Sequence, residues 1–125
     1  DDRTISILAY NLETVLAEKV ETVLSRSVAN TRLRDYYDIY ILYALRGSEC
    51  DRKMLHQALK RTTQKRGSKY ILTDYPEIMK EIRKSEQLRK FWEKYRREFS
   101  YAKDISFHDT CNSIQAIMDI TTQQI

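Results

Sequence analysis

The chain has 125 residues, a net charge of +4 at pH 7 and 32% charged residues, enough for one domain with a real core and long solvated faces. Two glycines and one proline leave little material for tight hairpins, which argues against an all-β fold and predicts an all-helical one. No apolar run approaches the roughly 18 residues of a spanning helix and no signal-peptide pattern opens the chain, so a soluble, cytoplasmic protein is expected.

In chain order, Ile5 to Tyr10 alternates weakly and reads as a short extended segment. From Asn11 to Ser27 helical spacing places Leu12, Val15, Leu16, Val20, Val23 and Leu24 on one stripe, with Thr14, Glu18, Glu21 and Ser25 on the opposite, water-facing side. A second helix, Arg32 to Arg46, carries Leu33, Tyr36, Tyr37, Ile39, Tyr40, Ile41 and Leu42. It has almost no polar face and is therefore expected at the centre.

Asp51 reads as the N-cap of a third helix bearing Met54, Leu55, Ala58, Leu59 and Thr62 and ending near Gly67. Pro76 behind Asp74 predicts a helix start there, running to about Arg83. Ser85 caps a helix whose inner face is Leu88, Phe91, Trp92, Tyr95 and Phe99, and Ser106 with Asp109 forms a capping box that opens the last helix, striped by Phe107, Thr110, Cys111, Ile114, Ile117 and Met118. The count is about six helices in a single domain spanning residues 1–125.

Cys50 and Cys111 lack Cys-x-x-Cys spacing, and His56 and His108 stand apart from them and from each other. Neither a zinc site nor a disulfide scaffold is indicated, and no metal site is expected in this chain.

Charges on the apolar stripes are the informative feature. Glu13 lies beside Val20 and Leu24, and Lys19 lies among Leu12, Val15 and Val23. Asp35 and Asp38 share one side of the second helix and bracket Leu42. An ionised group held away from water costs several kcal/mol or more unless it is paired or opens onto a polar cleft. Two readings stay open on spacing alone: a structural clamp in which Lys19 pairs with Asp35 or Asp38 beside Arg32 or Arg34, or a functional cleft.

The run Tyr10-Asn11-Leu12-Glu13-Thr14-Val15-Leu16-Ala17-Glu18-Lys19, followed by Arg32-Leu33-Arg34-Asp35-Tyr36-Tyr37-Asp38, resembles the two C-terminal motifs of the AbiEii-type nucleotidyltransferase toxins, a bacterial abortive-infection and toxin–antitoxin family that includes the related AbiGii proteins. The family pattern reads Leu-Glu, two or three apolar residues, Ala-Glu-Lys, then Arg-x-Lys-Asp, two residues, Asp. Arg34 stands where Lys is common, which keeps the charge and changes the donor geometry. Trp92 in a charged helix and the Ser106-Phe107 helix start fit the family's tail.

The resemblance implies a nucleotidyltransferase core with a Gly-Gly-Thr-type turn and an Asp-x-Asp pair holding magnesium and a nucleoside triphosphate. Neither motif occurs in this chain, whose glycines are Gly47 and Gly67. The expectation is a C-terminal helical half of a longer protein, inactive alone, with Ile5 to Tyr10 left over from the missing sheet. In that setting the resemblance implies Lys19, Asp35 and Asp38 as catalytic residues, with Glu13, Arg32 and Arg34 in support, Glu13 and Arg32 holding the first two helices in register.

Positive residues cluster. Lys60, Arg61, Lys65, Arg66 and Lys69 crowd one helix end, while Arg89, Lys90, Lys94, Arg96 and Arg97 line another helix. Solvated faces explain such runs; a phosphate-contacting surface, with Tyr70 and Tyr75 close by for base stacking, is the functional alternative. The resemblance suggests tRNA as the nucleic acid and an antitoxin as the protein partner. Besides a nucleotidyltransferase domain, the chain fits a free-standing nucleic-acid-binding module or a protein-interaction domain.

Overall fold

The computed structural model describes residues 11–122; the extended reading of Ile5 to Tyr10 falls outside them. The first helix, α1 (Leu12–Arg26), starts where Asn11 Oδ1 accepts the Thr14 N–H at 2.9 Å, an N-cap that satisfies a donor the helix itself leaves open. It ends at Ser27, a non-glycine residue with φ 49°. The turn Ser27–Ala29 then leads into α2 (Leu33–Arg46). Further along the chain come α3 (Arg52–Arg66), α4 (Ile71–Lys84), α5 (Glu86–Glu98) and α6 (Phe107–Thr122).

All of the regular structure among the described residues is helical. α1 packs chiefly on α3 and also on α2 and α4, while α6 backs α2, α3 and α4, giving a closed bundle. No helix among the described residues is long and apolar enough to cross a membrane.

Local sequence signals account for most helix ends. Asp51 caps α3 by accepting the Met54 N–H at 3.0 Å, and Gly67 ends it in the left-handed conformation, φ 70°, where a Cβ is costly. Ser85 Oγ accepts the Leu88 N–H, and the Ser106 and Asp109 side chains bond each other's backbone N–H, so the capping box forms as expected.

Pro76 behaves differently from the expectation. α4 begins at Ile71 and carries Pro76 inside it. Ile71 is fully buried with Met79 and Ile82 on the same stripe, so packing starts the helix a turn early and tolerates a proline that cannot donate to the Leu72 carbonyl. In α3 the buried set is Leu55, Ala58, Leu59 and Thr63, with Met54 exposed and Thr62 only partly covered. Phe99 lies past the end of α5 and is exposed.

The core is built on Trp92, Tyr36, Leu16, Leu24, Ile39, Leu42, Leu59, Ile71, Met79, Ile82, Leu88 and Ile114, all essentially sealed. Trp92 Nε1 donates to the Ile105 carbonyl at 2.9 Å, tying α5 to the segment before α6. α2 is central over its first turns, burying Leu33, Tyr36, Tyr37, Ile39 and Leu42, but its last turn emerges and Leu45 is exposed. The helix is thus less enclosed than its apolar run suggests.

Candidate functional site

α1 and α2 form a hairpin about the Ser27–Ala29 turn, which sets Lys19 opposite the start of α2. Lys19 Nζ donates to Asp38 Oδ2 at 3.0 Å and stands 3.7 Å from Asp35 Oδ1. The two carboxylates are covered, with side chains 8% and 2% exposed for Asp35 and Asp38, while the Lys19 side chain remains 21% exposed. The three residues singled out by the sequence therefore converge, with the ammonium lying between covered carboxylates and solvent.

Asp35 sits in the first turn of α2, where the helix N-terminus favours negative charge. Two carboxylates share one ammonium, with the longer contact to Asp35. The residue types also suit phosphate chemistry: an ammonium on a flexible stem can move from carboxylate to phosphate oxygen as one approaches.

Glu13 is buried as expected, but its partner is not α2. The Asp51 N–H donates to Glu13 Oε2 at 2.9 Å, so Glu13 ties α1 to the start of α3. Beside it the Cys50 thiol is pushed up to about 11 by burial first and then by the negative charges of Glu13 and Asp51. Arg32 and Arg34 are exposed, and neither forms an ion pair among the described residues. Arg32 engages the α1–α2 turn through its backbone, whose N–H donates to Asn30 Oδ1 at 3.0 Å. The expected role of Glu13 and Arg32 as side chains that register α1 against α2 is therefore not what the structure shows.

Glu21, expected to face water, is 4% exposed. Arg66 Nη1 donates to Glu21 Oε1 at 2.6 Å and Ser68 Oγ donates to Glu21 Oε2 at 2.8 Å. Arg66 Nη2 also reaches Glu18 Oε2 at 3.2 Å. The end of α3 covers what α1 alone would expose. Helical spacing within α1 carries no trace of this, because the partners lie 45 and 47 residues away.

The basic group is split by the same contacts. Arg66 is held by acidic residues of α1, whereas Lys60, Arg61, Lys65 and Lys69 are exposed. Arg61, Thr62, Lys65 and Arg66 face Thr14 and Glu18 across a cleft of about 530 Å³ between α3 and α1. Tyr70 is exposed, but the Tyr75 hydroxyl is engaged with Asp119 Oδ1 at 2.7 Å and with Thr122. That leaves Tyr75 a packing residue with its hydroxyl satisfied, not a ring open to a base. On α5, Arg96 pairs with Glu93 and caps the Lys103 carbonyl, and Lys94 lies 3.9 Å from Glu98, while Lys90 and Arg97 are exposed.

Among the described residues no group of three or more His, Cys, Asp and Glu side chains is arranged to hold a metal ion. Asp35 and Asp38, turned to Lys19, do not amount to a magnesium site.

A family model described as "Nucleotidyl transferase AbiEii toxin, Type IV TA system" matches residues 1–119. No curated protein and no solved structure matches the chain. Because the family model takes in both the Glu13–Lys19 and the Arg32–Asp38 segments and nearly all the rest, the chain belongs to the AbiEii nucleotidyl transferase toxin family of type IV toxin–antitoxin systems.

Proposed function

We propose that this helical domain supplies Lys19, Asp35 and Asp38 to nucleotidyl transfer, acting with a nucleotidyltransferase core whose Gly-Gly-type turn and Asp-x-Asp pair are not in this sequence. The observation that carries the reading is a Lys19 side chain that stays 21% exposed while its ammonium is set on two covered carboxylates. A purely structural clamp has no need of an accessible ammonium. Magnesium and the nucleoside triphosphate belong, on this reading, to the core, whose Asp-x-Asp pair would hold the metal.

In the proposed step the acceptor hydroxyl oxygen forms a bond to the α-phosphorus of the nucleotide, the bond from that phosphorus to the bridging oxygen breaks, and pyrophosphate leaves. Asp35 takes the hydroxyl proton. Lys19 turns toward the phosphoryl oxygens and offsets the charge that develops there, and Asp38, at 3.0 Å, holds the ammonium in position until then.

The acceptor class is nucleic acid, with tRNA the family-based candidate. The exposed Lys60, Arg61, Lys65 and Lys69 beside the α1–α3 cleft support this part of the reading. They also fit a second reading, a non-catalytic module that contacts phosphates through this face. An antitoxin is the expected protein partner for a type IV toxin.

The deciding experiment measures transfer of labelled nucleotide by the domain joined to its core, comparing wild type with Lys19→Ala and Asp35→Asn. Losses of about a hundredfold or more are expected for each. Near-normal rates in folded variants would remove both residues from the chemistry and leave the binding module.

A further inference from the structure

A cavity of about 200 Å³ is lined by Arg83, Arg89, Phe107, His108 and Cys111. Its volume matches roughly six or seven waters. We infer that Arg83, Arg89 and His108, where α4, α5 and α6 meet, form a binding site for a single phosphate group.

The two guanidinium groups are held by hydrogen bonds although Arg89 is exposed and Arg83 partly so. Arg89 directs Nε, at 3.0 Å, and Nη2 onto the Arg83 carbonyl near the end of α4. Arg83 in turn places Nη2 3.0 Å from Asn112 Oδ1 and Nη1 3.4 Å from His108 Nδ1. Each fork keeps further N–H groups beyond these contacts, and a guanidinium held in place matches phosphate oxygens with little ordering left to do.

What the pair lacks is a carboxylate. Among the described residues neither Arg83 nor Arg89 forms a salt bridge, whereas Arg46, Arg66 and Arg96 each do. Asp109, close by in sequence, is turned to the Ser106 N–H. The end of α4 accounts for Arg89 as a cap, but it leaves Arg83 facing a neutral amide and an imidazole.

The cavity also lies against the first turns of α6, a helix of 16 residues whose N-terminus adds favourable field for an anion. Both arginines act on the thiol beneath: burial pushes Cys111 up to about 11, and Arg83 and Arg89 pull against that rise. Their charge therefore reaches the cavity floor.

The source of the phosphate is either a free anion or the terminal phosphate of a strand. The test is an amide NMR titration of the whole chain at constant ionic strength, with inorganic phosphate in one arm, a 5′-phosphorylated oligothymidylate in another and sodium chloride as reference. Saturable changes confined to Phe107 through Asn112 and the α4–α5 junction are expected in the phosphate arm, the oligonucleotide arm or both. Saturation by inorganic phosphate assigns a free-anion site; saturation by the phosphorylated strand alone assigns a strand end. Arg83→Gln should weaken the response at least tenfold, and His108→Gln, a milder change that preserves the fold, should weaken it less. Changes no larger than those from chloride, or an undiminished response in folded Arg83→Gln, would overturn the assignment.

Discussion

Lys19 Nζ lies 3.0 Å from Asp38 but 3.7 Å from Asp35, so the two carboxylates that the sequence presents as equivalents are held differently. Asp38 is the tighter partner and the more covered, and in the proposed step it positions Lys19 while Asp35 takes the hydroxyl proton. Asp38→Asn should therefore mainly misplace Lys19, and Asp35→Asn should abolish proton uptake. In the domain joined to its core, the rate of the Asp38→Asn variant is expected to recover at least in part with Asp38→Glu, whereas Asp35→Glu, which moves the base, is expected to stay slow. Equal rescue of both by glutamate would contradict the division of roles.

Removing the ammonium has a cost apart from catalysis. Lys19→Met takes the ammonium away from two covered carboxylates, and because Lys19 is partly solvated the loss is expected at about 1–3 kcal/mol, below the 3–5 typical of a fully buried pair. Urea denaturation of the chain measures it. The paired change Lys19→Met with Asp38→Leu should recover much of the difference; no recovery would show that the cluster does not act as a unit.

The Glu21–Arg66 contact predicts coupling between distant parts of the chain. Glu21→Gln and Arg66→Ala are each expected to destabilise by about 1–3 kcal/mol, with a coupling energy of about 1 kcal/mol or more in the double-mutant cycle. Additive effects would mean that Ser68, which also bonds Glu21, carries the anchoring alone.

Two backbone positions predict opposite signs. Gly67 has φ 70° and open space around an added Cβ, so Gly67→Ala should cost about 1 kcal/mol through conformation alone. Ser27, a non-glycine residue at φ 49° and ψ −132°, should gain about 1 kcal/mol on replacement by glycine. Thermal unfolding of the two variants distinguishes these signs directly.

The thiols predict alkaline sensitivity. Cys50 and Cys111 are both raised from 9.0 to about 11, chiefly by burial. A raised thiol keeps its proton in the folded state while the unfolded chain loses it. The contribution is thus complete below about pH 9 and is lost as pH rises toward 11. Denaturant midpoints should fall across that window, and Cys111→Ala, though less stable at neutral pH, should flatten the fall. A pH-independent midpoint would show that neither thiol is perturbed.

Helix identity and the residues of the Lys19 cluster were legible in the sequence because they rest on local rules. Asn11, Asp51, Ser85 and Ser106 are caps whose hydrogen bonds close within three residues, and charges on an apolar stripe advertise a buried partner wherever they occur. The direction of Glu13, by contrast, depended on where α3 begins. Its stripe position required a partner and did not name Asp51.

Glu21 and Pro76 mark what only tertiary structure decided. Glu21 is buried because the end of α3 folds over α1, and α4 accommodates Pro76 because Ile71 must enter the core a turn before it. The same holds for the Arg83–Arg89 pairing across a helix junction. The sequence by itself determined the helices, their caps and the charges that demanded partners, since these follow from periodicity and from desolvation. Which partner met each charge, and which cations were left facing a cavity, was decided by packing, because hydrogen bonds and ion pairs between distant segments are set by where whole helices come to rest.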